Sequence, residues 1–237
     1  MNSQQVDIST IGNALENSLV RELGATPVAE FDNLQDLKNL AGESTGHVHV
    51  YAADKLVKAS FLSIAVGPGR YFNIHLIPRP EYDVPRFVYE GLLMAGASQV
   101  SLDLFADMDA EARVLDLPAF YGDAVEVYNA ARQNPALQLQ ASRFLHMRAF
   151  TSPLFLLVSR APDSVLPDFE AYAAGYLDAW FKLLRDADEI APPAVADREA
   201  RRQHMADMLI KLDPDRDMVV QVYGEETIQA IEAASML

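Results

Sequence analysis

The chain has 237 residues, half of them apolar, a formal net charge of -15 and no cysteine. The lack of thiols excludes disulfides, thiolate metal sites and cysteine nucleophiles, and fits a reducing cytoplasm. The acidity argues against nucleic acid and anionic lipid as partners, no run of about 18 apolar residues offers a membrane span, and the opening "MNSQQVDIST" lacks the basic-then-apolar pattern of a secretory signal.

Residues 8–23 place Ile8, Ile11, Leu15, Leu19 and Leu23 at helical spacing and predict an amphipathic helix. A second helix is expected over 28–40. The period then shortens. "HVHVYAA" (47–53), "LVKASFLSIAV" (56–66), "RYFNIHLI" (70–77), "RFVYEGLLMAG" (86–96) and "SQVSLDLFA" (98–106) read as five strands separated by turn signals such as "GPG" and "GAS". Connections this short cannot hold crossover helices, so the sheet should be mostly antiparallel. One or two helices are expected over 109–132 and another over 134–146. A sixth strand is expected over 153–160 and a long helix over 163–187. "IAPPAV" breaks that helix, and the last helices fall at 197–212 and 224–235. Helices flank the strands in sequence and should cover both faces of one sheet, which predicts a single-domain, three-layer α/β/α sandwich.

Strand alternation places the side chains that could carry chemistry. Val88, Glu90, Leu92 and Met94 share a face, as do Tyr71, Asn73, His75 and Ile77, and Gln99, Ser101, Asp103 and Phe105. Three neighbouring strands therefore each carry polar residues in mid-strand. Burying such groups unpaired costs on the order of 2–7 kcal/mol. Glu90, which closes "PRPEYDVPRFVYE" (78–90), is then an edge residue facing solvent, a structural hydrogen-bond partner, or a carboxyl whose pKa burial raises until it can donate a proton near neutrality.

Other polar features are weaker. His47 and His49 share a strand face but have no clear third ligand nearby, so no metal is expected. His146 and His204 lie on predicted helices. "DPDRD" (213–217) begins like a calcium loop but has Met218 where that loop needs glycine and Gly224 where it needs glutamate. "GPGR" (67–70) is a hairpin turn rather than a phosphate loop, and no nucleophile elbow is present. Arg198, Arg201, Arg202, Lys211 and Arg216 crowd into one short stretch and form either a solvated helix face or a landing site for an acidic partner or anionic ligand.

The stretch "NIHLIPRPEYDVPRFVYE" resembles the ferredoxin-dependent bilin reductases. Their strand ends before a P-x-Y-D-x-P turn, and the next strand carries an acid. "RAFTSPLFLLVSRA" (148–161) is similar to the family's F-S-P segment, and "HMADMLIKLDPDRDMVVQVYG" (204–224) to its C-terminal helix pair. The resemblance runs over about residues 47–237 and leaves 1–45 as a helical extension. It implies an α/β/α sandwich that holds a linear tetrapyrrole such as biliverdin between sheet and C-terminal helices. It also implies reduction by electrons from ferredoxin through a substrate radical, with no bound cofactor, metal or flavin. By the same resemblance Glu90 stands where the family has its central aspartate, Asp213 where it has its second, and Asn73 where it has His or Asn. His75 would join Asn73 at a lactam oxygen, and Arg143, Arg148 and Arg216 are the candidates for the bilin propionates. Three departures stand out: a glutamate at 90, Val88 in place of a glycine, and no carboxylate in the strand over 58–66. The glutamate is more like the related red chlorophyll catabolite reductases, and the pattern suggests a divergent bacterial member. Ferredoxins are acidic, so docking would need a local basic patch, for which residues 198–216 are a candidate.

Overall fold

The computed structural model describes residues 7–94 and 97–236. Eight strands form one sheet: β1 (Thr26–Pro27), β2 (Leu37–Lys38), β3 (Ser44–Ala52), β4 (Leu56–Val66), β5 (Gly69–Pro78), β6 (Arg86–Met94), β7 (Ala97–Phe105) and β8 (Leu156–Ala161). Their order is β1-β3-β4-β5-β6-β7-β8, with β2 also on β3, and every pairing is antiparallel. The five central strands follow the short apolar runs of the sequence. The turn between β4 and β5 is Gly67-Pro68, with Gly67 at φ +54°, a conformation glycine adopts without strain. Residues 95 and 96, at the end of the predicted fourth strand and in its "GAS" turn, lie outside the described residues.

Among the described residues, eight α-helices accompany the sheet: α1 (Ile8–Leu23), α2 (Leu117–Tyr121), α3 (Ala124–Gln133), α4 (Leu145–Phe150), α5 (Leu166–Asp186), α6 (Pro192–Leu212), α7 (Arg216–Tyr223) and α8 (Glu225–Ser235). Helices α1, α2, α3 and α5 cover one face. Their apolar residues merge with Phe61, Phe72, Ile74, Tyr89, Val100 and Leu102 of the strands in one continuous core. Asp7 caps α1 by accepting a hydrogen bond from the Thr10 backbone N–H at 2.8 Å, and Gly24 ends it in the left-handed conformation. The mid-helix Gly12 has a packing reason: a Cβ there would lie 2.1 Å from the Phe72 ring. In α5, Phe169, Ala173, Tyr176, Trp180 and Leu184 share the buried stripe, and the Trp180 indole donates to the Pro85 carbonyl at 2.8 Å.

The second face is covered differently. Helices α7 and α8 pack on Val48, Val50, Leu62 and Ile64. Separately, α6 and α4 bring Met205, Leu209, Met147 and Phe150 onto Val88 and Phe105. The polar mid-strand residues lie between these two apolar clusters. The architecture is thus a three-layer α/β/α sandwich.

Four local expectations are corrected. Residues 28–40 form a 3-10 turn (Ala29–Leu34) followed by β2, because their backbone finds partners in β3: the Val28 N–H donates to Val50 O at 2.9 Å and Leu37 pairs with Gly46. The helices expected over 109–132 shrink to α2 and α3, separated by Gly122 with φ +53°. The helix expected over 134–146 is an irregular segment that ends in α4, since the Gln140 N–H donates to Leu157 O and Gln138 has φ +48°. Helix α6 begins at Pro192, because two prolines in its first turn lack only N–H groups that a helix start leaves unpaired. Among the described residues no helix is long and apolar enough to cross a membrane.

Candidate functional site

Strand register turns the alternation of the sequence into rows. One row across the second face runs Val48, Leu62, Asn73, Glu90, Ser101, Leu157. Its neighbour on one side is Ile64, Tyr71, Leu92, Gln99, and on the other Val50, Ser60, His75, Val88, Asp103. Glu90 therefore sits in the middle of the sheet, between the two apolar clusters.

Three side chains donate to the Glu90 carboxylate. Tyr71 Oη and Asn73 Nδ2 reach Oε1 at 2.9 and 3.4 Å, and Ser101 Oγ reaches Oε2 at 3.2 Å. Burial, with the adjacent Glu90 charge and then Asp213, holds the Tyr71 phenol well above its ordinary range, so it keeps its proton and donates. Asp213 is the residue after the last turn of α6, in the opposing layer. Its Oδ1 accepts from the Asp215 N–H at 2.9 Å. The residue as a whole is exposed, yet its carboxyl is walled on the protein side. Burial, with Asp215 and Glu232 nearby, raises its pKa above the usual carboxylate range. The site thus presents two acids, one from each layer, with a phenol in electrostatic reach of both.

The other residues singled out in the sequence stand elsewhere. His75 is buried under the end of α8. Its Nδ1–H donates to Ser235 O at 2.8 Å, and Nε2 faces the Arg86 guanidinium at 3.4 Å. Burial and the Arg86 charge lower its pKa well below the ordinary histidine value, so the ring is neutral and both nitrogens are engaged. Arg143 lies over the Phe144 ring at 4.6 Å, and Arg148 Nε donates to Ser142 O at 2.6 Å. Both are exposed, Arg148 within α4 and Arg143 just before it. Arg216 is clamped by Glu225 and Glu232, each at 2.7 Å. His47 and His49 stack on the opposite face of the sheet, where Glu16 takes up His49 at 2.8 Å. Among the described residues no group of three acids and histidines could hold a metal ion.

The basic stretch is not a basic patch. Arg198 pairs with Asp83 at 2.7 Å, Arg202 with Asp107 at 3.0 Å, and Arg201 with Asp197 at 2.8 Å. With Arg216 also clamped, four of the five cations are neutralised in place. Arg198 and Arg202 turn inward, where Asp107 also pairs with the fully buried Arg86 at 2.8 Å. The same network explains the "PEYDVP" turn. Asp83 takes Arg198 and Arg113, and the carbonyls of Val84 and Pro85 take Arg198 and Trp180. That turn rivets α5 and α6 to the sheet.

The sequence places Tyr71 and Ser101 on alternating faces but gives neither a role. Only register could make them neighbours of Glu90. Asp103 is a further buried acid. It takes the Leu104 N–H at 2.8 Å and the Ser152 N–H at 3.0 Å, with the Ser152 hydroxyl also donating to it. Burial still pushes its carboxyl up to about 7. A surface hollow of about 540 Å³ lies away from all of this, beside α2 and α5 at Arg113, Asp123 and Lys182.

No protein-family model matches this sequence, and no curated protein is similar to it. Among solved structures the chain is similar to phytochromobilin synthase from tomato, in a structure in complex with biliverdin. The superposition covers 95% of this chain and 81% of that one, with a TM-score of 0.76 and 16% identity. The likeness is one of fold.

Proposed function

We propose that this chain reduces an open-chain tetrapyrrole of the biliverdin type. The observation that carries the reading is the placement of Glu90: a carboxylate held by three donors at the gap between two apolar clusters, with Asp213 on the opposing layer. A fold shared along nearly the whole chain with a protein seen holding biliverdin supports the choice of pigment. Reduction of one conjugated double bond takes up two electrons and two protons. Reduced ferredoxin supplies the electrons one at a time, through a substrate radical, with no bound cofactor. Glu90 gives a proton from the sheet side and Asp213 from the helix side, where a raised pKa suits a donor near neutrality. Asn73, whose amide N–H groups face Glu90 and Tyr71, keeps its carbonyl for a lactam group, whereas His75, with both nitrogens engaged, falls outside this set. Arg143 and Arg148 are exposed and free of carboxylate partners among the described residues, which fits them better than Arg216 to bind propionates.

The glutamate at position 90 favours one second reading, a linear chlorophyll catabolite as the substrate. Adding each pigment to the purified protein and recording the absorbance spectrum, then adding reduced ferredoxin, separates the readings. The reductase reading expects a spectral change on mixing and bleaching or a blue shift on reduction. Binding without reduction leaves a carrier, and no change with either pigment sinks the proposal. Glu90→Gln should bind pigment and reduce it at least about a hundredfold more slowly.

A further inference from the structure

The longer acid at position 90 has a structural counterpart. Asn73 and Ser101 stand directly opposite Glu90 on the flanking strands, but Tyr71 is its diagonal neighbour. Diagonal Cα atoms lie about 7–8 Å apart, a gap that only long side chains close. The phenol and the glutamate do so, with Oη 2.9 Å from Oε1. An aspartate would draw the carboxylate back by about 1.5 Å and take it out of hydrogen-bond range. The two oxygens of Glu90 are unequal as a result. Oε1 takes Tyr71 and Asn73, while Oε2 takes a single bond, from Ser101.

We infer that Tyr71 is the positioning residue of Glu90: its phenol fixes Oε1 and leaves Oε2 as the oxygen with room for a further partner. The acid–phenol pair is a property of the free protein; its consequence for turnover rests on the reductase reading. Without the hydroxyl, Oε1 keeps only the longer bond from Asn73, and the carboxyl is free to turn. Tyr71→Phe keeps the ring that packs beside α7 and α8 and removes only the hydroxyl.

The test has two arms. In ligand-free protein labelled with ¹³C-glutamate, the Glu90 carboxyl resonance, assigned with Glu90→Gln, is compared between wild type and Tyr71→Phe. It should move in Tyr71→Phe, because one of its three donors is gone, while the other glutamate resonances stay in place. A Glu90 resonance at the wild-type position overturns the inference. In the second arm, Tyr71→Phe should bind biliverdin with affinity within about twofold of wild type and reduce it roughly tenfold more slowly. Glu90→Asp should show the same defect, and the double variant should be no worse than Glu90→Asp alone; additive losses overturn the pairing. If the wild-type protein leaves the spectrum of biliverdin unchanged, the reductase reading falls, and the Glu90 resonance in ligand-free protein alone decides the role of Tyr71.

Discussion

The two faces of the sheet are built from the same alternating strands, yet they do different work. Under α1 and α5 the strand residues are Phe61, Phe72, Ile74, Tyr89 and Leu102, and the core is continuous. Under α6, α7 and α8 the apolar residues split into two patches, and a polar row passes between them. Hydrophobic stabilisation scales with the apolar area buried, and most of the buried apolar side chains lie on the first face, which therefore supplies most of it. The second face gives up part of that gain to hold Glu90, Tyr71, Asn73 and Ser101 in fixed hydrogen bonds. The proposed chemistry sits where the core is interrupted.

Substitutions can break or sharpen this contrast. The largest stability loss is expected on the continuous face. Trp180→Ala removes a fully buried ring and its bond to Pro85, and should cost about 3–5 kcal/mol in denaturant unfolding. A loss below about 1 kcal/mol would overturn the view that this face carries the stability.

Next comes the pH dependence of Asp103 on the interrupted face. Its folded pKa is raised to about 7, against about 3.9 in an unfolded chain. The folded state therefore binds the extra proton between those values. Its contribution is full below the lower value, falls by up to about 1.4 kcal/mol per pH unit as pH rises, and levels off above about 7. Asp103→Asn should remove that slope, which thermal or denaturant melts at pH 5, 6 and 7 will show. A slope shared by wild type and variant would assign it to other groups.

Smaller still is the cost of Glu90→Gln, below about 1 kcal/mol, because the amide keeps most of the hydrogen bonds. On the reductase reading, a melting temperature near wild type in a variant that reduces pigment at least about a hundredfold more slowly would separate the two faces cleanly. A large destabilisation would instead make Glu90 a structural group. Arg201→Ala should change least, within about 0.5 kcal/mol, since its partners Asp197 and Asp109 are exposed. On the reductase reading, pigment reduction should likewise be unaffected, because Arg201 is already paired with Asp197 and offers no net charge to an acidic donor.

Much of this is legible in the sequence. The central strands could be read from short apolar runs and their turn residues, because side-chain period and turn chemistry are local. Residue 90 could be marked as an acid on the same face as other polar residues for the same reason. The failures were also local in origin. Residues 28–40 have helical spacing, but Val28 and Leu37 find backbone partners in β3, and that pairing wins. The clustered bases of 198–216 read as one patch in the sequence, yet their acids come from segments as distant as Asp83 and Asp107.

The sequence by itself determined the meander, the layers and which faces carry polar groups, since each follows from periodicities of a few residues. Tertiary structure alone decided that Tyr71 and Ser101 meet Glu90, that His75 is occupied, and that the arginines of α6 turn inward. These are contacts between residues far apart in the chain. Strand register and helix packing, rather than local pattern, choose their partners.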